Sequence, residues 1–106
     1  MDNNNQNLPE NPEISIELTE EMAEGVYSNL AIITHSNTEF VLDFIRLMPG
    51  VPKAKVKSRV ILTPEHAKQL LNALQENIQR FEGQNGPINS KDFPFPLNFG
   101  GPKGEA

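Results

Sequence analysis

The sequence predicts an α+β domain: an antiparallel β-meander of about four strands packed against one C-terminal α-helix, with extended tails on either side. Three observations carry that reading. Between Tyr27 and Glu82 the apolar residues recur first with strand period and then with helix period. Short polar or Pro/Gly clusters separate the strand-like runs. Outside this stretch sustained periodicity stops, which divides the chain into a tail over residues 1–12, a domain over residues 13–83 and a Pro/Gly-rich tail over residues 84–106.

Residues 1–12 combine Asn3, Asn4, Asn5, Gln6 and Asn7 with Pro9 and Pro12, too polar to offset the cost of ordering the backbone, and read as a disordered tail. Ile14, Ile16 and Leu18 alternate with Ser15, Glu17 and Thr19, a short half-buried strand pattern. Thr19 to Gly25 reads as a turn or a single helical turn that Gly25 ends. Val26–Thr34 is rich in β-branched residues, His35–Thr38 has the character of a hairpin loop, and Glu39–Met48 continues as the partner strand. After Pro49-Gly50-Val51-Pro52, the run Lys53–Leu62 supplies the next strand.

Centring the second hairpin near Gly50 sets Phe44 opposite Val56 and Phe40 opposite Val60, so that Phe40, Leu42 and Phe44 share one apolar face with those valines. Asp43 then opposes Lys57 on the other face. That second face also holds Val41, Ile45 and Leu47, so it is more apolar than solvent requires and predicts a second copy or another partner on that side.

The helix is the strongest local signal. Thr63 is suited to cap it, Pro64 to open it and Glu65 to its positive end. Ala67, Leu70, Leu71, Leu74, Ile78 and Phe81 form one apolar stripe, and Gly83 is the expected stop. If the stripe is fully buried on the Phe40, Leu42 and Phe44 face, Leu70→Ala or Leu74→Ala costs roughly 2–5 kcal/mol.

The chain has 106 residues and a net charge of −5. Residues 1–26 carry seven acidic and no basic groups, whereas residues 27–82 carry seven basic and five acidic ones. An acidic arm therefore precedes a mildly basic core. The absence of cysteine excludes disulfides and thiolate catalysis. The first residues lack a basic and apolar signal region and no apolar run reaches membrane-spanning length, which predicts a cytoplasmic protein with no membrane partner.

Two groups of residues are candidate partner-binding sites, beside the Val41 and Ile45 face. Lys53, Lys55, Lys57 and Arg59 occupy alternate positions, which on one strand repeat at about 6.6 Å, similar to the phosphate spacing of a nucleic-acid strand. The same residues equally suit protection of a sheet edge and pairing with Asp43 or Glu39. Phe93, Phe95, Leu97 and Phe99 alternate with Pro94, Pro96 and Asn98, which favours an extended segment for docking in a groove or adding as a strand, or for folding back on its own domain. His35 and His66 have no ligand partner at helical spacing, no serine has a base in an evident context, and no phosphate-cradling glycine loop exists. No enzyme, cofactor or metal is therefore expected.

Gly25-Val26-Tyr27-Ser28-Asn29, Glu39-Phe40-Val41-Leu42-Asp43-Phe44 and Ser58-Arg59-Val60-Ile61-Leu62-Thr63-Pro64-Glu65-His66-Ala67-Lys68, taken in order, resemble the bacterial DUF3467 family, over about Ile14 to Glu82. The resemblance implies no established activity. Family members from Bacteroidota are similar in length and often encoded beside the gene for the largest RNA polymerase subunit. It thus implies a small, non-catalytic protein that associates with RNA polymerase in transcription. Rival readings are a free-standing homodimer such as a SecB-like chaperone, by fold analogy alone, and a nucleic-acid binder using the Lys53–Arg59 stripe.

Overall fold

The computed structural model describes residues 13–90. The Asn-rich run of residues 1–12 and the segment with Phe93, Phe95, Leu97 and Phe99 lie outside the described residues. The elements in chain order are α1 (Glu20–Ala23), β1 (Leu30–His35), β2 (Phe40–Arg46), β3 (Lys55–Leu62) and α2 (Pro64–Asn85). The fold is α+β, with three strands among the described residues rather than four.

The missing strand is the one expected at Ile14–Leu18. Among the described residues this segment is unpaired, and Ile16 is 92% exposed. Alternation alone does not make a strand; its backbone groups need a neighbour, and among the described residues β1 and β3 each pair only with β2. The single helical turn expected next is present as α1. The Thr19 hydroxyl accepts a hydrogen bond from the Met22 backbone N–H at 3.2 Å, Glu20 and Glu21 lie at the positive end, and Gly25 leaves the turn with φ +79°.

The sheet is an antiparallel meander in the order β1–β2–β3. A four-residue loop joins β1 to β2, where the Ser36 hydroxyl accepts from the backbone N–H groups of Thr38 and Glu39, both at 3.2 Å. Ile33 pairs with Leu42, and Thr34 with Val41. Across the second hairpin Phe40 pairs with Leu62, Leu42 with Val60, Asp43 with Arg59 and Phe44 with Ser58.

This corrects the register expected from a turn centred near Gly50. The partners of Phe40, Asp43 and Phe44 lie two positions further along β3 than Val60, Lys57 and Val56. A shift of two preserves the face, so Phe40, Leu42 and Phe44 still share a side with Val60, whereas Val56, expected beside it, lies on the opposite side with Ile45. The wide loop between Arg46 and Lys55 and a register shift after Phe44, which pairs Ile45 with Val56, produce the difference.

Thr63 caps α2 as expected, its hydroxyl accepting from the His66 N–H at 3.2 Å, with Pro64 opening the helix. The end differs. Gly83 is helical, and α2 continues to Asn85 before Gly86 turns it off at φ +89°, a conformation that essentially only glycine adopts without strain. The Gly86 N–H closes the last turn on the Glu82 carbonyl at 2.8 Å.

The core is small. Among the described residues, Leu42, Ile45 and Leu62 are the buried apolar side chains, each contributing roughly 1.5–3 kcal/mol. No residue of α2 is buried. Leu70 is 38% and Leu74 54% exposed, so the stripe does not fill a core with the Phe40, Leu42 and Phe44 face of its own chain. The full-burial cost expected for Leu70→Ala or Leu74→Ala therefore does not arise from packing among the described residues.

Candidate protein-interaction surface

The two sides of the sheet differ in chemistry although both are partly open. Register alternation places Ile33, Phe40, Leu42, Phe44, Val60 and Leu62 on one side. From Phe40 to Phe44 this side carries no carboxylate or lysine at its paired positions, the Arg46 and Lys55 pair lying beyond at one end, and Ile33 is 60% exposed. On the other side lie Val41, Asp43 and Ile45 of β2 with Leu30, Ile32 and Thr34 of β1 and Arg59 and Ile61 of β3. Of the two apolar candidate partner-binding residues there, Ile45 is buried and Val41 half-buried, whereas Ile61 and Val56 are exposed.

Asp43 organises that second side. Its carboxylate is 1% exposed and accepts from both Nε and Nη2 of Arg59, at 2.6 and 2.8 Å. The guanidinium fork matches the two carboxylate oxygens, which is the strong geometry for such a pair. These hydrogen bonds hold the Asp43 carboxyl below the usual carboxylate range; burial pushes the other way, and the Arg59 charge adds to the lowering. Arg59 is correspondingly raised, chiefly by the same hydrogen bonds. A buried carboxylate already neutralised in this way is poorly placed to take a proton from a substrate.

The basic stripe is divided. Lys53 precedes β3, Lys55 pairs with Arg46 and Arg59 with Asp43. Asp43 and Arg46 are three positions apart on β2 and so face opposite sides, and the register shift carries Lys55 and Arg59 to opposite sides with them. Lys57 lies in the irregular part between. Alternation in sequence therefore does not give four cations in a row on one face, and Arg59 is engaged internally. Arg46 has its own contact, its guanidinium lying 5.5 Å from the centre of the Tyr27 ring.

Sequence reasoning missed how the open end of the first hairpin is held. The Asn29 side chain copies a strand residue: its Oδ1 accepts from Leu47 N–H at 2.8 Å and its Nδ2 donates to the Leu47 carbonyl at 3.1 Å. Its backbone N–H donates to the Ile45 carbonyl, and the Ser28 hydroxyl lies within 3.1 Å of the carbonyls of Leu30 and Ile45, donating to one at a time. Asparagine reads as a breaker in a strand run, so its only signal was membership in the Gly25–Asn29 block.

His35 stacks on Phe40 with ring centres 5.2 Å apart, while His66 lies in the first turn of α2. Among the described residues no group of three or more histidines, aspartates and glutamates could hold a metal ion. No described helix is long and apolar enough to cross a membrane.

The model of one protein family, described as protein of unknown function (DUF3467), matches residues 1–90. The chain belongs to this family. The match covers most of the chain, including the Asn29 clamp, all three strands and α2. No curated protein and no solved structure matches the chain. The DUF3467 family thus accounts for the ordered blocks recognised in the sequence and brings no reaction with it.

Proposed function

We propose that this protein is a non-enzymatic accessory factor that works by binding another protein, and that bacterial RNA polymerase is the partner. The observation that supports protein binding most directly is the amount of apolar surface left open: Ile14, Ile16, Leu18, Val56, Ile61 and the α2 stripe are all exposed. Apolar surface so extensive marks a contact site. The polymerase enters through the gene association that the family resemblance brings, and a transcription-associated role in the cytoplasm follows from it.

The candidate contacts are the Ile61 side of the sheet, with Val41 and Ile45 beneath it, and the acidic arm with its apolar Ile14, Ile16 and Leu18. The Phe93–Phe99 segment is a further candidate contact. The divided basic stripe and the internal engagement of Arg59 favour protein over phosphate as the ligand. The test is affinity purification of the tagged full chain from its own cells at moderate salt, with a chain truncated after Ser90 beside it. Stoichiometric recovery of polymerase subunits by the full chain, lost on truncation, supports both the partner and the tail contact. Full-chain eluates without polymerase contradict the reading.

A further inference from the structure

Two surfaces of this chain lack the cover that each could give the other. One is the stripe of α2, where Leu70, Leu71, Leu74, Ile78 and Phe81 are all exposed along a helix of 22 residues, about 33 Å long. The other is the side of the sheet holding Ile33, Phe40, Leu42, Phe44, Val60 and Leu62, on which Ile33 and Val60 are exposed. We infer that α2 of one copy docks on this side of the sheet of a second copy, and the reverse, in a two-fold dimer with exchanged helices.

Geometry at the strand-to-helix junction leaves the stripe available. One residue, Thr63, separates β3 from α2, with φ −68° and ψ 155°, and Pro64 after it disfavours any helical conformation there. The helix consequently leaves the sheet along an extended step, without a loop that would fold it back. Among the described residues its stripe meets no core.

Chemistry chooses the side and the occupant. The Phe40, Leu42 and Phe44 side presents paired positions without carboxylate, lysine or arginine up to Phe44, with Arg46 and Lys55 beyond at one end, so leucines covering the Phe40–Phe44 part remove no charge from water. Covering the opposite side would desolvate the exposed part of Arg59. On α2 the charged Glu76 and Arg80 pair with each other at 3.8 Å as exposed i,i+4 neighbours, in keeping with an outward face. Each copy offers one floor and one cover, so a single two-fold axis satisfies both on both copies. An unrelated partner would have to bring a floor for the helix and a cover for the sheet separately.

The areas agree with this occupant. Five large side chains on the stripe, about half exposed, together with Ile33 and Val60 amount to several hundred Å² of apolar surface per copy. Summed over the two surfaces, that approaches the roughly 800 Å² per partner of an ordinary stable interface. This dimer leaves the Ile61 side and the Ile14–Leu18 segment free for the polymerase contact proposed above, and it stands or falls independently of that contact.

The test uses the full chain, which has no native cysteine. Sedimentation equilibrium at micromolar concentration is expected to give a dimer, and Leu74→Glu to abolish it. A folded wild-type monomer overturns the proposal. Because Leu74→Glu could also fail to fold, Val60→Cys and Leu74→Cys chains are refolded together and treated with a short bismaleimide. A Val60–Leu74 cross-link between copies, lost when Ile61→Cys on the opposite side replaces Val60→Cys, supports helix exchange. Equal cross-linking from both sides overturns it, as does a chain carrying both V60C and L74C that cross-links only within itself.

Discussion

Asp43 and Arg59 face each other across β2 and β3 in a two-point ion pair, with the carboxylate buried and the guanidinium 55% exposed. One end of the pair is dry and the other wet, which decides how large an effect its loss has. Asp43→Ala is expected to destabilise by roughly 1–3 kcal/mol, below the cost for a fully buried pair because water screens Arg59, and Arg59→Ala to destabilise in the same direction. A double-mutant cycle by denaturant unfolding checks it, with a coupling of at least half the single-mutant effect expected.

The same pair gives a pH dependence of known sign. The Asp43 carboxyl is held below its usual range in the folded chain, so its stabilising contribution is present above the ordinary aspartate range, near pH 4. It is lost as pH falls from there through the lowered folded value. Asp43→Asn is expected to flatten the acid limb of a stability-against-pH curve and to leave its shape near neutrality unchanged.

Gly83 and Gly86 lie three positions apart and are expected to respond to alanine with opposite signs. Gly83 is helical with open space around its α-carbon, so Gly83→Ala is expected to stabilise by about 0.5–1 kcal/mol. Gly86 ends the helix at φ +89°, so Gly86→Ala is expected to destabilise by about 1–2 kcal/mol. Thermal unfolding of the two variants separates them. These glycines also show why the helix end was misread: an exposed glycine inside a helix costs little enough to be tolerated, and sequence does not mark which of two nearby glycines takes the positive φ.

Asn29→Ala removes both side-chain bonds to Leu47. The expected cost is about 1–2 kcal/mol, modest because the site is exposed. Hydrogen exchange at the Leu47 amide should speed up, while exchange in the middle of β2 changes far less.

The three strands and α2 were legible because each follows its own hydrophobic period, and the division of Phe40, Leu42 and Phe44 from Val41, Asp43 and Ile45 followed from alternation alone. Register was not, since the loop between Arg46 and Lys55 is longer than the breaker cluster suggests and the shift after Phe44 leaves no mark in composition. For the same reason the lysine stripe looked continuous. Ile14, Ile16 and Leu18 have the alternation of a strand but no partner in the described fold. The α2 stripe shows that a helix needs cover, and periodicity is silent on whether its own chain supplies it.

The central claim is that this fold is finished by contact between protein chains, first of all by a second copy. Thermal unfolding of the full chain, followed by circular dichroism from about 1 to about 100 μM, tests it most directly, since a dimer that unfolds to single chains gains stability with concentration. The account expects the midpoint to rise steadily over that range and the rise to vanish in Leu74→Glu. A sharp transition at one unchanging temperature throughout would contradict it.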